Sequence, residues 1–361
     1  MDRTRINVRT DSATYPIVIE PGLLAGLREL LLEERFADRV FVVSSPTVWR
    51  LHGTSIARAL PRADAILVPD GEKAKTLQTV SRVYDALVSA QADRSAGLVA
   101  VGGGVIGDTV GFAAATYLRG ISVAHVPMTL LAQVDSAVGG KVGVNHALGK
   151  NLIGAFHQPR LVAIDPLVLT TLPRREFRAG LYEVVKYGMA CDAALFKQVR
   201  SNIRAIFGRS PEVLLPVIAA SCRIKAAVVQ QDERERGPRR LLNFGHTAGH
   251  ALEAITKYRR FRHGEAVALG MLVAADLAVA RGALPLEARD ALAQLVAALG
   301  PLPPIADLRV DEAVEAIRRD KKVVAGRLHF VMPVAVGRAA IVDDVEEDEL
   351  ADALARTGLR R

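Results

Sequence analysis

The sequence predicts an α/β N-terminal domain followed by a mostly α-helical C-terminal domain, and three observations carry that expectation. The chain has 361 residues, half of them apolar and 24% charged, which exceeds the roughly 250–300 residues over which a single core keeps growing. Up to residue 172, short and nearly continuous apolar runs alternate with helical stretches, as buried parallel strands linked by helices do. Past Leu172-Pro173 the apolar residues recur at helical spacing instead. This change of period, with Thr170-Thr-Leu-Pro173, sets an expected boundary between a 1–172 domain and a 173–361 domain.

Taken in order, the alternation Ile6-Asn-Val-Arg9 reads as a first strand. Val40-Phe-Val-Val43, Ala65-Ile-Leu-Val68, Leu98-Val-Ala-Val101, Val123-Ala-His-Val126 and Leu161-Val-Ala-Ile164 are apolar runs bounded by turn residues. They are expected to form a parallel sheet covered by helices on both faces. Thr109 to Tyr117 is helix-like, and helices are expected over 176–205, 211–231, 246–257, 264–281, 286–299 and 311–319. Leu328-His-Phe-Val-Met332 reads as a short late strand, and the sequence shows no repeat of fixed period.

Composition excludes several classes. The first 22 residues hold no apolar stretch of signal length, so no export is expected. The longest apolar run, Ala266 to Ala280, carries Asp276 and falls short of the roughly 20 residues that cross a bilayer, so a core helix and no membrane partner are expected. Two cysteines, Cys191 and Cys222, are too few for a disulfide framework, which fits a reducing cytoplasm. The net charge of +8 comes from arginines interleaved with acids, as in Asp232-Glu-Arg-Glu-Arg-Gly-Pro-Arg-Arg240. That pattern is a solvated surface with some anion-binding residues, and no nucleic-acid partner is expected.

Three groups of residues carry chemistry. Gly102, Gly104 and Gly107 satisfy G-x-G-x-x-G between a strand and a helix, where bare backbone N–H groups and a helix N-terminus can hold a pyrophosphate. The acidic residue usual about twenty positions on is missing, so the domain is expected to be a Rossmann-like variant. Glu183, His246, His250 and His263 supply donors of the kind zinc takes, and spacing alone pairs His246 with His250 on one helix face. Lys141, Lys150, Asn151, Lys186, Lys225, Arg239 and the pair Lys321-Lys322 suit an anionic substrate, most of those in the second half lying at or near helix ends.

The run Val126-Pro-Met-Thr-Leu-Leu-Ala-Gln-Val-Asp-Ser-Ala-Val-Gly-Gly-Lys141, followed by Gly149-Lys-Asn-Leu-Ile-Gly-Ala-Phe-His-Gln-Pro159, closely resembles the 3-dehydroquinate synthase family. Pro69-Asp-Gly-Glu-Lys-Ala-Lys75, Thr116-Tyr-Leu-Arg-Gly120, Glu183 to Gly188, Asp232 to Glu253, the His263 block and Asp320-Lys-Lys322 follow in that family's order. Competing readings are other sugar-phosphate cyclases, of the 2-deoxy-scyllo-inosose or 2-epi-5-epi-valiolone synthase type, and then a metal-dependent polyol dehydrogenase.

The resemblance implies a phosphate-eliminating lyase of the shikimate pathway, converting 3-deoxy-D-arabino-heptulosonate 7-phosphate to 3-dehydroquinate with catalytic NAD. It implies a zinc ion, replaceable by cobalt, on Glu183, His246 and His263, which overrules the spacing-only pair and leaves His250 to move protons. Glu235 is then a proton acceptor and Lys186 joins the catalytic set. NAD contacts are implied for Asp70, Gly71, Glu72, Lys75, Gly103, Gly104, Val105, Gly107, Asp108, Thr129, Lys150 and Thr171. Substrate contacts are implied for Asp135, Lys141, Asn151, Lys225, Arg239, Asn243 and Lys321 or Lys322, with Arg119 lent by the partner in a homodimer. Two departures from the family pattern bear on the cofactor: Met128 stands before Thr129 where a Thr-Thr pair is common, and Ser45 stands where a polar or acidic residue approaches the adenosine ribose.

Overall fold

The computed structural model of the protein describes residues 3–321 and 329–361. Its contacts gather into two compact units, one holding the chain to Pro173 together with Arg209–Arg234, the other holding Arg174–Gly208 and the chain from Glu235 onward. The break at Pro173 falls one residue from the expected boundary, but the second unit is not one continuous segment.

In the first unit the chain runs β1 (Thr4–Arg9), β2 (Thr14–Ile19), α1 (Leu27–Glu33), β3 (Arg39–Ser44), α2 (Pro46–Ala59), β4 (Asp64–Leu67), α3 (Leu77–Ser89), β5 (Ala96–Gly102), α4 (Gly104–Thr116), β6 (Ser122–Pro127), β7 (Lys141–His146), β8 (Gly149–Phe156) and β9 (Leu161–Ile164). Seven strands form one sheet in the order β1-β2-β9-β6-β5-β3-β4, parallel except for the antiparallel β1–β2 pair. Every residue of β5 and β9 is buried, so these central strands can be apolar on both faces. Strand β4 differs from expectation: it pairs with β3 but lies at the sheet edge, and Leu67 is exposed. Hairpin β7–β8 forms a separate two-stranded sheet that the apolar pattern did not reveal.

From β3 the chain crosses to β4 on one side, and from β5 it crosses to β6 on the other. Right-handed crossovers in opposite directions put helices on opposite faces and leave a crevice at the carboxyl ends of β3 and β5.

Helices α5 (Arg174–Cys191), α6 (Ala193–Ser201) and α7 (Ile203–Gly208) begin the second unit, breaking the expected helix 176–205 at Asp192 and Asn202. Asp192 caps α6 by accepting from the N–H groups of Ala194 and Leu195. Helix α8 (Pro211–Gln231) returns to the first unit. It packs on β1, and Cys222 and Lys225 on it meet Gln133 and Asp135. The second unit continues with α9 (His246–Ile255), α10 (His263–Ala280), α11 (Leu286–Leu299), α12 (Val310–Lys321), the hairpin β10 (Phe330–Ala335) and β11 (Arg338–Val342), and α13 (Glu347–Thr357).

Helix α10 is the axis of this unit, packed by α5, α9, α11, α13 and β10. It is long and apolar enough to cross a membrane by composition alone, yet it is buried over 78% of that span inside protein, as a core helix is.

Candidate active site

In the first unit, the glycine turn closes β5 and opens α4 with Gly103 as its N-cap, so the first N–H groups of α4 stand at the β3/β5 crevice. A Cβ on Gly103 would lie 3.1 Å from Thr129 Cγ2, and one on Gly104 would lie 3.0 Å from Ser136 Oγ. Bare backbone at these two positions fits a pyrophosphate cradle. Gly107 does different work: a Cβ there would meet the His125 ring at 3.4 Å, so this glycine brings α4 close onto β6. Val105 lies in the first turn of α4.

Lys75 is buried beside this turn, its Nζ 2.5 Å from Asp108 Oδ2 and 2.5 Å from Asn151 Oδ1. Burial pushes the Asp108 carboxyl above the ordinary aspartate value, and the Lys75 ammonium opposes that rise. Asn151, in the left-handed region at φ 55°, receives its own hold from Asn145 Oδ1, which accepts from its N–H at 3.0 Å. Asn145 also donates to Glu72 Oε1 at 2.7 Å, with Lys150 Nζ 4.0 Å from that oxygen. The segment Asp70 to Lys75 is therefore tied to hairpin β7–β8. Asp70 itself is exposed and accepts from the Gly71 N–H.

The segment after β6 contains a short π-helical turn, Ala132–Ser136, of a kind that often marks functional sites. Thr129 Oγ1 caps it by accepting from the Ala132 N–H at 3.2 Å. Asp135 lies in the turn, and Lys225 Nζ donates both to its carboxylate and, at 2.6 Å, to its carbonyl. Lys141 opens β7 as an exposed residue after the left-handed pair Gly139-Gly140. Arg119 is exposed in a turn where Leu118, Arg119 and Gly120 all have positive φ. Thr171 Oγ1 lies 2.9 Å from His52 Nε2. Ser45 is fully buried and caps α2 through the Val48 N–H, and Met128 is buried, so neither side chain offers a free polar group to a nucleotide.

In the second unit, Glu183 on α5 is fully buried, and among the described residues neither carboxylate oxygen has a hydrogen-bond donor in line. Lys186, one turn on and also buried, brings Nζ to 2.5 Å from Oε2 as an ion pair. Glu183 Oε1 lies 3.6 Å from His263 Nε2 and 4.0 Å from His246 Nε2. Two ligands of one tetrahedral zinc are about 3.3 Å apart at bond lengths of about 2.0–2.2 Å, so these atoms stand close to a ligand sphere.

The far side of each ring is held. His246 Nδ1 is 3.2 Å from the Phe244 carbonyl, and His263 Nδ1 is 3.4 Å from Glu253 Oε2. Such contacts direct the other nitrogen inward. Burial, with Lys186 and the neighbouring rings, holds His246 well below the ordinary histidine value, which keeps the ring neutral. His250 is exposed, its ring centroid 5.3 Å from that of His246, and ligand atoms of His246, His250 and His263 all fall within 4.8 Å of one another. A buried carboxylate whose Oε1 meets two oriented imidazoles fits a divalent cation.

Glycine makes this convergence sterically feasible. A Cβ on Gly264 would stand 1.9 Å from the Ala179 carbonyl oxygen of α5, and one on Gly270 would stand 1.9 Å from the Gly245 oxygen at the start of α9. Backbone therefore meets backbone where α5 and α9 cross α10, next to His263 and His246.

Asn243 Nδ2 donates to Glu235 Oε1 at 2.7 Å, and Glu235 has φ 57°. Arg239 is buried in the turn between them. The three cations Lys186, Lys225 and Arg239 are thus buried, with Lys186 and Lys225 inside their helices rather than at the ends. Lys322 lies outside the described residues, as does the side chain of Lys321.

Sequence reasoning passed over Glu253 and Glu265. Glu253 follows His246 by seven residues, hence on the same face of α9. Glu265 is fully buried and bound by Arg175 and Arg178 of α5.

A parallel sheet with a glycine turn at its switch point, joined to a helical unit with a buried Glu-His-His cluster, defines a nucleotide- and metal-binding α/β-plus-helical protein. The chain matches the family model described as 3-dehydroquinate synthase N-terminal over residues 65–179 and the C-terminal one over residues 180–323. A 3-dehydroquinate synthase from Nostoc punctiforme is 46% identical over 97% of this chain and 98% of the relative. This chain belongs to the 3-dehydroquinate synthase family.

Among solved structures, 2-epi-5-epi-valiolone synthase from Streptomyces hygroscopicus subsp. jinggangensis, with NAD+ and Zn2+ bound, is 30% identical with a TM-score of 0.88, covering 98% of this chain and 99% of that one. A 2-deoxy-scyllo-inosose synthase complexed with carbaglucose-6-phosphate, NAD+ and Co2+ is 25% identical, with the same TM-score and coverage.

Proposed function

We propose that this protein converts 3-deoxy-D-arabino-heptulosonate 7-phosphate to 3-dehydroquinate and phosphate, as a cytoplasmic homodimer using catalytic NAD and one divalent ion. The observation that carries the reading is Glu183: a buried carboxylate, paired with Lys186 through Oε2, whose Oε1 faces the Nε2 atoms of His246 and His263. Those three residues would hold the metal. The alternative triad with His250 replaces a buried carboxylate by an exposed ring, and leaves Glu183 Oε1 without a hydrogen-bond partner, at a cost of about 1–3 kcal/mol.

When bound, the metal would supply Lewis acidity toward a substrate hydroxyl, and NAD would supply a reversible hydride acceptor within one turnover. The backbone of Gly103, Gly104, Val105 and Gly107 would receive the pyrophosphate, with Thr129, Lys75, Asp108, Lys150, Thr171 and the Asp70-Gly71-Glu72 segment around the nucleotide. Lys141, Asn151 and the partner's copy of Arg119 would take the substrate phosphate, and Lys225 with Arg239 its carboxylate. Asp135 anchors the Lys225 Nζ for that task. Glu235, fixed by Asn243, accepts a proton. His250, open to water, exchanges protons with solvent, and Lys186 pairs with Glu183.

Purified protein with NAD and the heptulosonate phosphate, followed for phosphate and cyclic product, tests this. Product in many-fold excess over NAD, without net absorbance at the NADH band, is expected. One NADH per product would mark a polyol dehydrogenase and overturn the reading, as would turnover confined to a different sugar phosphate.

A further inference from the structure

Glu265 lies two residues beyond His263 and is a fully buried carboxylate held by four hydrogen bonds. Its oxygens accept from Arg175 Nε at 2.8 Å and Nη2 at 2.7 Å, from Arg178 Nη2 at 3.1 Å, and from the Arg262 N–H at 2.9 Å. Arg175 also donates to the Arg260 carbonyl at 3.0 Å. Both arginines belong to α5, the helix that carries Glu183. Arg178 reaches Glu265 across Gly300, where a Cβ would stand 2.6 Å from its Nη1. A fully buried carboxylate with a two-point guanidinium fork is a rigid, directional joint. It pins the first turn of α10 to the first two turns of α5, and thereby sets where His263 stands relative to Glu183.

We propose that Glu265, gripped by Arg175 and Arg178, is a positioning residue that presets the Glu183–His263 spacing and so fixes the affinity for the metal. The inference rests on Glu183 and His263 being metal ligands. The spacing at stake is the 3.6 Å from Glu183 Oε1 to His263 Nε2, and ligand distances tolerate only about ±0.2 Å. The joint touches neither ligand atoms nor substrate-binding groups, so its loss weakens capture of the ion without altering what the captured ion does.

The test is chelator competition for Zn2+ on the full-length protein, with kcat measured at saturating Zn2+. Glu265→Gln keeps the shape and loses the charge. Arg175→Lys keeps the charge, loses the fork, and sits at a half-exposed position that tolerates change. Each is expected to bind Zn2+ about 10–100-fold more weakly, with kcat within about twofold of the parent once the metal saturates. Unchanged metal affinity in Arg175→Lys overturns the proposal, and so does a kcat that stays low at saturating metal. His263→Ala and Glu183→Gln serve as the separate check: retention of stoichiometric Zn2+ by either would mean that the ligand assignment itself had failed.

Discussion

Replacing Lys186 by methionine tests the buried ion pair between Lys186 and Glu183 inside the helical unit. Lys186 Nζ is the cation 2.5 Å from Glu183 Oε2, and the two side chains are 2% and 0% exposed. Removing one partner of a buried pair costs about 3–5 kcal/mol, because the remaining charge has lost its solvent and its counterion together. In a unit of this size about 1 kcal/mol moves the melting point by roughly 2–4 °C, so Lys186→Met should melt on the order of 10 °C lower in chelator at neutral pH. Saturating Zn2+ should close most of that gap, since an ion on Glu183 supplies the missing charge. Differential scanning calorimetry of parent and variant, each with chelator and with Zn2+, gives the four numbers needed. A gap of equal size in both conditions would refute the reasoning, because the ammonium would then matter for packing alone.

Two further outcomes follow from the same coordinates. Gly264→Ala must push its new Cβ from 1.9 Å to beyond 3.0 Å from the Ala179 carbonyl, a shift of α10 far larger than the roughly ±0.2 Å that metal ligands tolerate; metal content by emission spectrometry should fall well below one per chain, while Gly208→Ala, which meets nothing within 4 Å, should keep it. His125, buried in β6, has its pKa pushed down to about 4 by burial, so between pH 6.5 and 4 the unfolded chain takes up a proton that the native one refuses, and stability present above 6.5 is lost on acidification, by about 3 kcal/mol; urea denaturation of parent and His125→Gln at pH 7 and pH 4 should show that difference in slope, and parallel losses would exclude it.

What the sequence made legible was whatever a local pattern writes down. The apolar runs at 98–101 and 161–164 became β5 and β9 because a strand buried on both faces must be apolar throughout. Hairpin β7–β8 escaped because glycines and polar residues interrupt its apolar ones. Its register depends on Gly143 and Gly154, where a Cβ would stand 2.5 Å from the opposing backbone, and no periodicity reports such a contact. Helix α8 is legible in its bounds, 211–231, but the unit to which it belongs escaped for another reason. Its apolar spacing is helical like that of its neighbours, but its assignment to the first unit rests on tertiary contacts with β1 and the turn around Asp135.

The proposed metal site shows the same limit at atomic scale. Spacing of four residues correctly places His246 and His250 on one face of α9, and their rings do lie edge to face. Sharing a face settles proximity, not ligation. A histidine is committed to a metal by what its other nitrogen holds and by which carboxylate its free lone pair meets. His246 holds the Phe244 carbonyl of its own cap, whereas His263 holds Glu253, and both turn Nε2 toward a carboxylate on α5 that is some sixty residues or more away in sequence. That carboxylate arrives because glycines at 264 and 270 let three helices cross at backbone contact. The decisive residues for the site are therefore ones with no side chain, and their role is visible only once the chain has folded around them.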